Sequence, residues 1–105
     1  MSEVEETLNR IKTHKSVQGI VIVNNEGNII RTTYEGDQKS LGEKIAINIP
    51  QLAAKAKSTV RDLDENNHLV FLRIKSDRNE IMVAPDKDFM LIVVQGKSDK
   101  KEDAD

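Results

Sequence analysis

The chain has no cysteine and no tryptophan among its 105 residues, and only two phenylalanines, one tyrosine and two prolines. Without cysteine there are no disulfides, no thiolate metal ligands and no thiol nucleophile, a pattern that fits a reducing compartment. A net charge of -2, from 18 acidic and 16 basic residues, leaves no basic footprint for nucleic acid or an anionic membrane surface. No apolar run approaches the roughly 18 residues of a membrane span, so membrane insertion is not expected. The opening residues MSEVEETL are acidic and patterned as a helix, so no signal peptide is expected there. At this length one core is available, near the size at which self-association helps stability.

What the chain does have is one long amphipathic stretch, from Lys39 to Leu63. Leu41, Ile45, Ile49, Leu52, Ala56, Val60 and Leu63 recur at intervals of three and four, the signature of one apolar helix face. Ala46 and Ala53 widen it with small side chains, while Lys44, Lys55, Lys57 and Arg61 keep the far side wet. Pro50 interrupts the pattern: it removes a backbone donor and crowds the carbonyl of Ala46, which predicts a kink or a short break. A stripe this long has room to serve both the chain's own sheet and a second copy.

Before that helix, Ser2 and Glu5 form a capping-box pattern, and Val4, Leu8 and Ile11 supply a modest apolar stripe through about Lys15. Val17 and the run Gly19 to Val23 then read as a strand covered on both faces. Asn24 to Asn28 is hairpin-turn chemistry around Gly27, and Ile29 to Tyr34 returns as a more exposed partner. After the helix, His68 to Lys75 alternates as a third strand and Glu80 to Ala84 as a fourth. Pro85 to Asp88 turns the chain, and Phe89 to Val94, the most apolar run, reads as a central strand. From residue 97 to 105 nothing remains to bury, which predicts one domain over 1–96 and a disordered polar tail.

The order α-β-β-α-β-β-β with short β-β links predicts an α+β fold, a five-stranded antiparallel sheet with the long helix on one face and the N-terminal helix on the other. A single short helix covers the second face poorly. The third strand falls at an edge, where Leu69 and Phe71 are an aggregation hazard unless paired. Pairing with its own copy about a two-fold axis resolves that hazard and brings two central helices together. The alternative is a monomer whose edge is guarded by Arg73 and Lys75.

No pattern for chemistry survives inspection. Asp62, Asp64 and Asn66 imitate the start of a calcium loop, but Asn67 stands at the glycine position and Arg73 where a bidentate glutamate belongs. Gly36 to Lys44 resembles a phosphate loop with the wrong spacing and no lysine after the second glycine. His14 and His68 lie in no metal-ligand spacing, and no glycine-flanked serine frames a nucleophile. No enzyme activity, metal or cofactor is expected.

The segments EVEETLNRI, VQGIVIVNNEG, KSTVRDLD and FLRIKSDRNEIMVAPDKDFMLIVVQ closely resemble the roadblock-type dynein light chains. The resemblance runs from Glu3 to Gln95 and is most specific from Ser58 to Gln95; Tyr34 to Ala54, with Pro50, departs most. It implies a homodimer with antiparallel central helices and third strands joined into one continuous ten-stranded sheet. The implied dimer interface draws on Ile45, Ile49, Leu52, Ala53, Ala56, Val60, Leu69, Phe71 and Arg73. It further implies a non-catalytic subunit that binds the dynein intermediate chain, with other dynein subunits as indirect partners. Val4, Leu8 and Ile11 are then the candidate intermediate-chain contacts. The location so implied is the cytoplasm and cytoskeleton, extending to the axoneme of a cilium or flagellum. Scaffolds and regulators of small GTPases in the same superfamily supply the alternative function.

Overall fold

The structure is a computed structural model that describes residues 6, 9, 10 and 16–96. Glu6, Asn9 and Arg10 are helical. The rest of the expected N-terminal helix, with Val4, Leu8 and Ile11, lies outside the described residues, as does the tail from 97 to 105.

Strand β1 (Val17–Asn24) and strand β2 (Ile29–Thr32) form a hairpin. Gly27 closes its turn at φ 88°, and Asn24 Oδ1 accepts from the amides of Glu26 and Asn28. A single 3-10 turn, Gly36–Gln38, leads into helix α1 (Lys39–Leu63). Strands β3 (Leu72–Lys75), β4 (Asn79–Pro85) and β5 (Phe89–Gly96) follow as a meander. The sheet order is β2-β1-β5-β4-β3, antiparallel throughout, so the most apolar strand lies in the middle as the sequence predicts.

Two boundaries differ from the sequence pattern. The second strand ends at Thr32 rather than Tyr34: the Thr33 amide still donates to Ile20 O, but Thr32 Oγ1 donates to the same oxygen and Thr33 Oγ1, not a backbone carbonyl, accepts from Ile20 N. The third strand begins at Leu72 rather than His68. Its partner β4 runs out at Pro85, which has no amide to donate, so the residues before Leu72 have no strand partner among the described residues.

The core lies between α1 and one face of the sheet. Gly42, Ile45, Ala46, Ile49 and Ala53 of the helix are buried against Val21, Val23, Val83, Ile92 and Val94. Pro50 does not break α1, which is one 25-residue element. Side-chain amides on either side of it serve carbonyls in the turns before it: Asn48 Nδ2 donates to Lys44 O at 2.8 Å, and Gln51 Nε2 to Ile47 O at 2.8 Å. Continuous hydrogen bonding in the flanking turns and burial of the face from Ile45 to Ala53 hold the helix together across the missing donor.

Tyr34, which the sequence pattern assigns to an exposed edge strand, is 5% exposed. Its ring lies over Gly19 and against Gly42, where a Cβ at either glycine would collide with it. The two glycines thus make room for the chain's one tyrosine beneath the start of α1.

Candidate partner-binding surfaces

Three surfaces around this core bear the residues to which the sequence points. The first is the flank of α1. Of the expected interface residues, Ile45, Ile49 and Ala53 are buried against the chain's own sheet, so they act first as core. Ala56 and Val60 are half-buried and Leu52 is 45% exposed. Leu41, Leu52 and Leu63, at 45%, 45% and 82% exposure, recur at intervals of about three helical turns. They lie about 80° around the helix from the middle of the buried stripe. The long apolar stripe is therefore two adjacent strips, one filled by the sheet and one open.

The second surface is the edge of the sheet. Along β3, Leu72 and Ile74 pack toward the helix core, which places Arg73 and Lys75 on the opposite face. Arg73 Nε pairs with Glu80 Oε2 at 2.8 Å, and its guanidinium lies 6.0 Å from the centre of the Phe71 ring. Leu69 is half-buried and Phe71 is exposed. On its outer side β3 has no strand neighbour among the described residues, which leaves that edge open among them.

The third surface is the face of the sheet opposite α1. Ile20 and Ile22 have no exposed surface, with Val17, Phe89 and Leu91 packed beside them. Toward the β3 edge the face opens into an apolar groove of about 210 Å³, lined by Val17, Phe71, Met82, Ala84, Leu91, Val93 and Gln95. The sequence reading gives Phe71 and Met82 no role in a groove; their alternation with core residues on adjacent strands is the signal that finds them.

Among the described residues, the motifs of possible chemical interest have structural explanations. Among the described residues no polar or charged side chain is buried, and no cluster of three or more potential metal ligands occurs. Asp64 Oδ1 accepts from the Asn66 amide, so the calcium-like run is a helix-ending turn. His68 is exposed beside Lys57, Arg61 and Asp86. Burial raises the Tyr34 phenol above its usual range, through desolvation of the charged form. No helix among the described residues is long and apolar enough to cross a membrane.

Comparison with known proteins agrees with this geometry. Residues 3–96 match the family model of the Roadblock/LC7 domain. The solved Roadblock/LC7 domain from Streptomyces avermitilis superposes with a TM-score of 0.72 at 12% identity, over 85% of this chain and 73% of that one. A solved structure of MglB with tetrameric arrangement gives 0.69 at 13% identity, over 89% and 69%. The gliding protein MglB from Thermus thermophilus gives 0.69 at 13%, over 89% and 70%. At such identities these likenesses carry the fold, and the family match carries membership. This chain belongs to the Roadblock/LC7 domain family.

Proposed function

We propose that the protein is a non-catalytic homodimeric assembly subunit that holds segments of partner chains together. The observation that supports this most directly is the juxtaposition of an unpaired β3 edge with an open leucine strip on α1. A two-fold axis beside β3 pairs both edges and lays the two leucine strips against each other, which removes an aggregation hazard and buries apolar surface. The tetrameric arrangement of a solved MglB adds weight to self-association in this fold.

Two partners are compatible with such a dimer. The block from Ser58 to Gln95, which forms the end of α1 and the meander β3 to β5, resembles the dynein light chains. It supports a dynein intermediate chain as partner, two copies held bivalently at raised effective concentration, in the cytoplasm and cytoskeleton or the axoneme. The second reading is a roadblock-type scaffold or regulator of small GTPases. The solved neighbours named above lean toward it, since they are Streptomyces and MglB proteins rather than dynein subunits.

Direct measurement separates the two. Titration of the dimer with an intermediate-chain fragment by calorimetry reads the first; nucleotide exchange and hydrolysis by candidate GTPases read the second. Saturable binding of the fragment with no effect on any GTPase supports the light-chain reading. A changed exchange or hydrolysis rate without fragment binding replaces it with the regulator reading.

A further inference from the structure

The flank of α1 away from the leucine strip borders a cleft on the helix side of the sheet. Pro50, Ala54, Lys57 and Arg61 succeed one another along that flank, about 170° around the axis from Leu41, Leu52 and Leu63. The facing wall is made by the β1-β2 and β4-β5 turns, tied together where Asn25 Nδ2 donates to Lys87 O at 3.1 Å. Between helix and turns lie two chambers, of about 390 Å³ and about 190 Å³, which share Lys57, Pro85 and Asp86. We propose that this cleft binds an extended acidic peptide, with an apolar side chain in the larger chamber and a carboxylate one or two residues along in the smaller. The site goes beyond the assembly role above and does not depend on it, since a dimer formed through the leucine strip leaves this flank free.

The larger chamber is apolar at its base, where Val23, Phe89 and Met90 meet. Both prolines of the chain line it. Pro50, a costly residue inside a helix, presents a half-buried ring to this chamber. Asn25 and Gln51 edge it with amides that can meet a peptide backbone. Gln51 Nε2 is engaged with Ile47 O, which leaves its Oε1 as the acceptor.

The smaller chamber is cationic. Lys57 and Arg61 stand one helical turn apart, and His68 joins them from the loop before β3. Asp86 is the one acid there, and its own turn engages it: Asp86 Oδ1 accepts from the Lys87 amide at 2.7 Å. Neither Lys57 nor Arg61 has an ion-pair partner among the described residues. A guanidinium beside an ammonium offers a carboxylate charge-assisted donors in a fixed geometry. Glu26 lines the larger chamber and not the smaller, so charge favours acidic residues at the Arg61 end alone.

The dimensions suit a chain rather than a compact molecule. From Pro50 to Arg61 is about 16 Å along the helix, the span of about five extended residues. The approach also lies away from the chain's own ends. Val17 and Gln95 pair at one end of the β1-β5 ladder, and Asn24 and Phe89 at the other, beside the cleft. Residues 1–15 and 97–105 therefore join the sheet about 23 Å from it.

The test uses the full chain and two labelled peptides of about eight residues, read by fluorescence anisotropy at low salt. One carries a leucine followed by glutamates, the other the same leucine followed by lysines. The glutamate peptide should bind at least about tenfold more tightly. Lys57→Glu with Arg61→Glu should reverse that preference. Lys44→Glu with Lys55→Glu, the same charge change on another side of α1, should leave it within about twofold. Pro50→Ala should weaken binding at least about threefold while raising the thermal midpoint, so that the loss cannot come from unfolding. A folded Leu52→Asp monomer should bind the glutamate peptide as the wild type does, which separates this site from the homodimer reading. Equal affinity for both peptides, or an equal loss from the Lys44 and Lys55 pair, overturns the cationic chamber. Undiminished binding when serine replaces the peptide's leucine reduces the site to a bare charge contact and overturns the cleft as a peptide site.

Discussion

Leu52→Ala separates the two strips of α1 and tests the dimer quantitatively. In a single copy Leu52 is 45% exposed, so a little under half of its side chain remains to be buried by a second copy. Full burial of a leucine is worth about 1.5–3 kcal/mol, so that fraction contributes about 0.7–1.3 kcal/mol per copy. The dimer contains the contact twice, and truncation should cost it about 1.4–2.7 kcal/mol, roughly a 10- to 100-fold rise in the dimer dissociation constant. Leu52→Asp should go further, because a carboxylate pressed into an apolar seam costs several kcal/mol, and should yield a folded monomer.

Sedimentation equilibrium over a dilution series reads the constant, and circular dichroism checks that the fold persists. Ile47→Asp is the matched control. Ile47 is 62% exposed but lies on the far side of α1, so its replacement should leave the dimer unchanged. Ile49→Asp serves as the contrary control: Ile49 is 8% exposed beneath the helix, so a charge there should unfold the monomer itself. If Leu52→Ala and Leu52→Asp both leave the dissociation constant unchanged, the open strip is not the interface, and the two-fold must be sought elsewhere.

Three further outcomes concern the core and the helix above it. Gly19→Ala should destabilise by about 1–3 kcal/mol in urea unfolding, since its Cβ would overlap the Tyr34 ring; Tyr34→Ala in the same chain should recover part of the loss. Because burial raises the Tyr34 phenol above its unfolded value near 10, the unfolded chain ionises first. That contribution is complete below about pH 10 and falls as pH rises through the folded pKa, so Tyr34→Phe should flatten the alkaline loss of stability relative to wild type. Pro50→Ala restores a donor for the Ala46 carbonyl and should raise stability by about 1–3 kcal/mol, read as an upward shift in the thermal midpoint.

The sheet order and the limits of α1 are legible in the sequence because they rest on period and on relative hydrophobicity. Phe89 to Val94 has apolar residues at both parities, so it has to lie in the middle. What escapes is pairwise. Periodicity presents the helix stripe as one surface, since it gives direction only to within about a quarter turn. The structure divides that stripe between Ile49, which is buried, and Leu52, which is half open. The burial of Tyr34 depends on two glycines 15 and 8 residues away, Gly19 and Gly42, a packing relation with no local signature. At Pro50, propensity sets the cost of a missing donor, but the burial of Ile45, Ile49 and Ala53 around it outweighs that cost.

These features assign different tasks to the two faces and the edge of one sheet. The face under α1 is complete within a single chain, because five helix residues bury against strands from both halves of the sequence. The edge is incomplete, and its deficiency is of backbone groups, which only another strand can satisfy with the right geometry. Among the described residues the groove has no apolar cover, which a helix can provide without any strand pairing. Since Arg73 and Lys75 of β3 share a face with Phe71 at the groove rim, changes at that edge should reach both assembly steps. Phe71→Ala should therefore weaken dimer formation and helix binding together, whereas Met82→Ala, one strand inward, should weaken helix binding alone. Equal losses in both assays for Met82→Ala would show that groove and edge form one cooperative unit rather than two surfaces meeting at Phe71.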